Sequence, residues 1–186
     1  MNKKNGRGFL IIFFLISANY SFGQKYISES SETTFFSSAP LEDIKATNSK
    51  AKSVFDSDNG EIVFLILIKE FQFRKSLMQE HFNEKYLESD KYPKSTFNGK
   101  VTGYKKGASN DQVWAEGTLD IHGVKKKIKV PGALNFLGEK VILECKFMVK
   151  LEDYNVEIPS LMFQNIAEEV EVTLNFEYKL YEKPAN

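Results

Sequence analysis

The feature of this chain that most constrains its fold is a run of strict alternation between apolar and polar residues near the C-terminus. In residues 169–180 every second side chain is Val, Leu, Phe or Tyr, and the side chains between them are charged or polar. Successive side chains of a β-strand point to opposite faces of its sheet, so this run predicts a long strand with one dry and one wet face. Residues 141–151 repeat the pattern. The chain is therefore expected to form an antiparallel sheet with a continuous apolar side.

A tight hairpin is predicted in the middle of the chain. His122 and Gly123 separate two extended runs, residues 113–120 and 124–130. A two-residue connection that ends in glycine favours a tight turn, although His is less usual than Asn or Asp at its first position. The returning run carries three lysines on one face, Lys125, Lys127 and Lys129. They are interpreted first as a solvated face that discourages aggregation, and second as a contact for anionic head groups.

The segment 61–73 differs because both of its faces are apolar. A strand that is dry on both sides needs cover on its second face. The following segment supplies a candidate, since Ser76 and Gln79 have the spacing of a capping box and an apolar stripe continues from there. That stripe consists of Met78, Phe82 and Tyr86. A short helix is therefore expected across the outside or the mouth of the sheet structure.

Shorter strands and turns complete the predicted architecture. The strands are expected at residues 35–38, 42–49, 96–104 and 155–158, and the turns at 56–60, 107–111 and 135–140. Residues 24–34 are interpreted as a loose lead-in. About eight or nine antiparallel strands with a dry inner face predict a single closed or nearly closed barrel. Such a barrel can hold one slender ligand or be filled by its own side chains, and the pattern alone leaves both open.

Residues 1–23 have the layout of a cleaved secretory signal. Three basic residues precede the apolar run 9–16, and small residues stand just before Gln24. The apolar run is well short of the ~20 residues that a membrane-spanning helix requires. We therefore expect cleavage of the signal, one domain over residues 24–186, and a periplasmic or secreted protein.

Charge and cysteine content exclude further classes. Without the signal, 22 basic and 25 acidic residues remain. This mild acidity gives no electrostatic basis for nucleic-acid binding, so no nucleic-acid partner is expected. Cys145 is the only cysteine, which excludes an internal disulfide and leaves the apolar interior to hold the fold.

The sequence contains no dense catalytic or metal-binding motif. His81 and His122 are the only histidines, and His81 with Glu84 falls short of the three or four ligands of a closed zinc site. His81 is interpreted as a polar edge of the helix stripe, and His122 as structural or exposed. Cys145 is interpreted as a small apolar wall residue, because a reactive thiol needs an accessible electropositive setting. We expect no catalytic residue, no metal and no cofactor.

Four stretches, taken in chain order, resemble the YceI-like family of periplasmic lipid-binding proteins. They are Ser38–Asn48 (SAPLEDIKATN), Leu77–Gly99 (LMQEHFNEKYLESDKYPKSTFNG), Gly117–Gly132 (GTLDIHGVKKKIKVPG) and Leu151–Pro159 (LEDYNVEIP). The resemblance implies an all-β fold, a lipocalin-like antiparallel β-barrel of about eight strands with one short helix, around a long isoprenoid tail. Within these stretches, Asp90, Tyr92, Pro93, Asp153 and Tyr154 match family positions, and we interpret them as turn and strand-pairing determinants that could also contact a polar head group.

The resulting hypothesis is an exported protein that carries or sequesters an isoprenoid or other long-chain lipid. Transient membrane contact is also expected, and the sequence names no protein partner. Alternation selects ten candidate wall residues: Phe64, Ile66, Ile68, Phe97, Leu119, Ile121, Phe147, Val149, Leu174 and Phe176. Two alternatives stay open at this point: an envelope interaction protein with a side-chain-filled barrel, and a cryptic enzyme acting on a small lipid.

Overall fold

The computed structural model describes residues 24–38, 43–157 and 167–182, and the predicted signal segment 1–23 lies outside them. The described residues form ten strands: β1 (Lys25–Ser37), β2 (Ile44–Asn48), β3 (Lys52–Asp56), β4 (Glu61–Leu67), β5 (Gln72–Phe73), β6 (Lys94–Thr102), β7 (Ser109–Ile121), β8 (Val124–Leu137), β9 (Lys140–Lys150) and β10 (Glu169–Leu180). One α-helix, α1 (Ser76–His81), continues into a π-helical turn at Phe82–Tyr86. Single 3₁₀ turns lie at Ile68–Glu70 and Leu151–Tyr154.

Eight of these strands close into an antiparallel barrel. The order around the ring is β1, β3, β4, β6, β7, β8, β9 and β10, and β10 pairs back onto β1. Strand β1 is long enough to serve two neighbours, since its first residues pair with β3 and its last residues pair with β2. Strand β2 in turn pairs with β5, outside the ring. The predicted lipocalin-like barrel of about eight strands with one short helix is confirmed.

The hairpin predicted at His122 and Gly123 is confirmed as the β7–β8 pair, and two other sequence-based assignments are wrong. Residues 24–34 are not a loose lead-in, because all but Gln24 belong to β1, which pairs with β10. Strand β3 was not predicted, since its short mixed sequence gains its conformation from pairing with β1 and β4. The strand expected at residues 155–158 is also wrong over its described part, because Asn155 adopts a left-handed conformation (φ 54°) after the 3₁₀ turn.

Helix α1 lies at the mouth of the barrel rather than over the outer face of β4. The outward residues Val63, Leu65 and Leu67 stay between 37% and 44% exposed, so the expected cover on this second face is absent among the described residues. The stripe of the helix turns inward instead. The ring of Phe82 stacks on Phe35 with centroids 5.3 Å apart and also contacts Phe71 and Phe73.

The predicted capping box is wrong. The helix begins one residue earlier than that motif requires, with Lys75 at the N-cap and Ser76 as its first residue, and no side chain caps it. The Gln79 side chain instead accepts a hydrogen bond from the backbone N–H of Phe73, at 3.4 Å. The aromatic contacts at the mouth therefore hold this short helix in place, since so few residues have little helical stability of their own.

The end of the barrel opposite the helix is filled by aromatic side chains. We call Tyr26, Phe55, Tyr104, Phe136 and Tyr178 the aromatic plug; their neighbouring ring centroids lie 5.7–6.5 Å apart. The Tyr178 hydroxyl donates to Ser53 Oγ at 2.7 Å, and burial raises the pKa of Tyr178. The Tyr104 hydroxyl donates to the carbonyl of Ser57 at 2.8 Å. The plug thus buries large rings, and each of these two phenol hydroxyls has its own hydrogen-bond partner. Such a partner is the condition for stable burial of a polar group.

Two glycines shape the wall above the plug. Gly99 and Gly117 face each other across β6 and β7, and a Cβ on Gly117 would stand 2.5 Å from the Gly99 Cα. The same Cβ would stand 2.8 Å from the ring of Phe97, which therefore lies over both glycines. An aromatic ring that covers a glycine in a neighbouring position protects the bare backbone. Here it also keeps the ring against the wall instead of across the interior.

Replacing Gly117 by alanine should destabilise the barrel. The added methyl group would overlap the Asn98 carbonyl oxygen and the Gly99 Cα, so the two strands or the Phe97 ring must move. We expect the free energy of unfolding in urea to fall by ~1–3 kcal/mol. Gly138→Asn is the control, because nothing lies within 4 Å of a Cβ there and Asn tolerates its φ of 66°. Equal losses in the two variants would contradict the close-approach argument.

Candidate functional site

A cavity of about 660 Å³ lies between the aromatic plug and the helix. Its volume falls in the range of about 300–1,000 Å³ that is usual for small-molecule pockets. The walls come from the inner faces of the barrel strands, and the cover comes from Met78, Phe82 and Tyr86 of the helical segment. The stripe predicted from spacing therefore faces the cavity. The barrel is filled in one half and hollow in the other.

Nine of the ten residues predicted from alternation line this cavity. They are Phe64, Ile66, Ile68, Phe97, Leu119, Ile121, Phe147, Val149 and Leu174. The tenth, Phe176, does not line it. Its ring is 1% exposed and lies 5.0 Å from Phe64 and 6.0 Å from Tyr178, so it forms the packed layer between cavity and plug. Its assignment as a wall residue was wrong. The side chain faces the barrel interior, but it lies below the cavity, one inward-facing position beyond Leu174 along β10.

Sequence reasoning missed the part of the wall that β1 contributes. Thr33, Phe35 and Ser37 line the cavity at alternate positions of that strand. Their period of two was the available signal, and the serine-rich and threonine-rich composition around it obscured the strand. Tyr154 and Val156 were assigned to a weak strand or turn, yet both are buried and line the cavity.

Polar groups in the wall are few and mostly satisfied within the protein. Ser37 Oγ accepts a hydrogen bond from the Ala167 backbone N–H at 2.9 Å, and Ser95 Oγ donates to the Asp120 carbonyl at 2.7 Å. Thr33 Oγ1 is buried without a partner among the described residues. A wall of this kind offers no charged anchor in its depth, which suits an apolar chain rather than a polar metabolite.

His122 joins three segments at the rim of the cavity. Its Nδ1 lies 3.2 Å from the Tyr154 carbonyl oxygen and its Nε2 lies 2.9 Å from Glu88 Oε2. The ring of Tyr92 packs against the imidazole with centroids 4.3 Å apart. His122 and Gly123 both have positive φ, as a tight two-residue hairpin requires. Of the two interpretations considered for His122, the structural one fits.

No metal site or reactive thiol is evident within residues 24–38, 43–157 and 167–182. No group of three or more His, Cys, Asp or Glu side chains is arranged to hold an ion there. His81 lines the mouth of the cavity. Cys145 also lines the cavity, donates its S–H to the Pro131 carbonyl at 3.2 Å, and has a pKa raised by burial to about 11. A thiol of that pKa is almost entirely protonated near neutral pH.

The sequence of the barrel places the chain in a protein family. The sequence model that defines the YceI-like domain matches residues 26–178, which is most of the chain and nearly the whole barrel. The chain belongs to the YceI-like family. Among functionally curated proteins, no relative matches this sequence. None of the described helices is long and apolar enough to cross a membrane.

Solved structures with the same fold include three from bacteria named in their descriptions. A polyisoprenoid binding domain from Saccharophagus degradans, implicated in plant cell wall breakdown, is 19% identical, with a TM-score of 0.73 over 84% of this chain and 98% of its own. Burkholderia cenocepacia BcnA is 17% identical, with a TM-score of 0.68 over 79% and 95%. The Campylobacter jejuni YceI protein is 16% identical, with a TM-score of 0.55 over 98% and 100%. At these identities the likeness to YceI-like structures concerns the fold.

The thiol of Cys145 should be unusually slow to alkylate. Because only the thiolate attacks, a pKa of about 11 predicts a rate with iodoacetamide at pH 7.5 about two orders of magnitude below that of a free cysteine. The rate should keep rising with pH towards 11. Mass spectrometry of the intact protein measures it without ambiguity, since the chain has one cysteine. The urea-unfolded protein is the control, and equal native and unfolded rates would contradict the buried wall position.

Proposed function

We propose that this protein is exported and holds an isoprenoid or similar amphipathic chain inside the upper half of its barrel, for carriage or sequestration. The observation that carries the proposal is the apolar cavity of about 660 Å³, which is closed below by Phe176 and the aromatic plug and covered above by the helix. The proposed mechanism is exclusion of the tail from water, with no bond made or broken.

The energetics favour a binding role for such a cavity. Each buried methylene contributes ~0.8 kcal/mol, whereas association costs about 4–15 kcal/mol in lost freedom. At five carbons per isoprene unit, a tail of about four units contributes about 16 kcal/mol, so an association cost of about 8 kcal/mol leaves about −8 kcal/mol, which corresponds to micromolar affinity. The aromatic wall of Phe64, Phe97 and Phe147 supplies flat contact surface for a branched chain.

The family and the sequence support the rest of the proposal. One YceI-like relative of known structure is described as a polyisoprenoid binding domain, and its fold is shared over nearly all of its length. The signal-like segment 1–23 supports export to the periplasm or the outside. The protonated Cys145 thiol fits a wall residue better than a nucleophile. A barrel filled throughout by its own side chains does not fit the hollow upper half.

Phe147→Glu should abolish retention of a lipid chain. The substitution places a carboxylate in an apolar wall, where a bound tail would have to desolvate it. We expect at least a hundredfold loss of affinity for a fluorescent geranylgeraniol analogue, measured by titration of the delipidated protein.

Met148→Glu is the matched control, because Met148 is the next residue of the same strand and its side chain is 55% exposed on the outer face. It should bind as tightly as the unsubstituted protein. Circular dichroism establishes that both variants are folded. Unchanged affinity in folded Phe147→Glu, or equal losses in both variants, would contradict the proposed site.

A further inference from the structure

The barrel wall has a seam between β8 and β9 on the side towards the mouth. The two strands pair from Leu137 and Lys140 up to Gly132 and Cys145. Beyond that point β8 pairs only with β7, and β9 pairs only with β10, among the described residues. We call the unpaired stretch the seam; its two edges are residues 124–131 of β8 and 146–150 of β9.

Pro131 explains where the seam begins. It stands directly above the last paired residue of β8, and its carbonyl oxygen accepts the hydrogen bond of the Cys145 thiol on β9. The N–H and C=O of a strand residue face the same neighbouring strand. Because proline has no N–H, β8 cannot donate to β9 at this position, and a proline inside a strand is tolerated only at such an unpaired edge. The ladder therefore stops at Pro131.

Among the described residues, nothing covers the cavity where it reaches the outer surface at the seam. Inward side chains on its two edges, Ile128 and Val130 on β8 and Phe147 on β9, are only half-buried, although they line the cavity. Inward side chains on the paired strands β4 and β6, such as Phe64 and Phe97, are buried. The cavity lining also includes outward-facing residues at the base of the seam: Pro131, Ala133 and Glu144.

The top of the seam is bridged by side chains rather than by strand pairing. Lys126, on the inner face of β8, forms an ion pair with Asp153 of the 3₁₀ turn that follows β9. His122 contacts the carbonyl of Tyr154 in the same turn. Among the described residues, the seam is therefore a side opening in the barrel wall. The paired stretch of β8 and β9 bounds it at one end, and these side-chain contacts bound it at the other.

The outer surface beside the seam combines positive charge with exposed apolar side chains. Lys125, Lys127 and Lys129 all project outward from β8 and are exposed. Lys129 lies 5.5 Å from the ring of Trp114, which is 37% exposed, and Met148 across the seam is 55% exposed. The neighbouring acidic groups are engaged at least in part, since Glu116 lies 3.7 Å from Lys129 and Glu171 lies 2.9 Å from Lys146.

We propose that the seam is the portal of the cavity and that its lysine-edged surface docks on an anionic lipid bilayer, so that a chain passes sideways between membrane and cavity. The inference rests on the proposed lipid-binding function and names the membrane-facing side of the site. Lysines attract anionic head groups, and Trp and Met side chains settle at the interface between head groups and tails. A chain that leaves through the seam enters the bilayer without crossing water.

Charge reversal tests the docking surface. Delipidated protein is sedimented with vesicles of phosphatidylcholine alone and of phosphatidylcholine with phosphatidylglycerol at 3:1. The unsubstituted protein should bind the anionic vesicles, and K125E/K127E/K129E should bind them at least tenfold more weakly. The control K52E/K94E/K100E reverses three exposed lysines on β3 and β6, away from the seam. An equal loss in the control, or no loss in the first variant, overturns the docking surface.

A chemical staple tests the portal. In a C145A background, K129C/M148C is joined across the seam with a short bismaleimide, because extending the β8–β9 register would place these outward positions opposite each other. The control, L137C/K140C, joins the same strands at the existing pair next to their turn, outside the cavity lining. We expect the seam staple to slow transfer of the fluorescent geranylgeraniol analogue to anionic vesicles at least tenfold, and the control staple to leave it unchanged. Equal transfer rates in the two stapled proteins overturn the portal.

A single substitution tests independently whether the chain leaves through the seam. Pro131→Val restores a backbone N–H and introduces a residue that favours strands, so the ladder can extend upwards. Transfer of the analogue to anionic vesicles should slow by a larger factor than any change in its equilibrium affinity. Faster or unchanged transfer counts against the role of Pro131. Failure of the proposed lipid-binding function is distinguishable, because the unsubstituted protein would then show no affinity for the analogue. Vesicle docking is measured with delipidated protein and therefore does not depend on that affinity.

Discussion

The volume of aromatic side chains decides where this barrel is solid and where it is hollow. An eight-stranded barrel is narrow enough for its own side chains to fill it, so a cavity exists only where large rings are absent or lie against the wall. At one end, the five rings of the aromatic plug pack against one another, and Phe176 packs on Tyr178. In the other half, Gly99 and Gly117 let the ring of Phe97 lie along the wall. The proposed lipid site depends on this division.

The two halves of the barrel have different roles in stability. The plug buries large apolar surface with its Tyr178 and Tyr104 hydroxyls hydrogen-bonded, so it supplies much of the core that a chain without disulfides needs. The upper half gives up such packing to keep a cavity, and the aromatic cluster around Phe82 compensates at the mouth. The ion pair between Lys126 and Asp153 and the contacts of His122 hold the rim together where strand pairing ends.

Alternation in the sequence was sufficient to predict the faces of the strands but not their depth. It identified β9, β10 and the β7–β8 hairpin because their pattern is uninterrupted. It could not place Phe176 below the cavity, since depth depends on the stagger between neighbouring strands, which is a non-local property. Strand β3 and most of β1 were missed for a related reason, because their polar sequences become strands through pairing with distant partners. The seam was equally invisible, although Pro131 was its local signal.

Native mass spectrometry of the protein purified from its own host, followed by organic extraction, shows directly whether the barrel carries a lipid chain. We expect a complex heavier than the polypeptide by one apolar chain, which is released on extraction in equimolar amount and identified by its fragmentation. Bare polypeptide with no extractable lipid, from protein kept folded throughout, would contradict the claim that the hollow half of the barrel exists to hold such a chain.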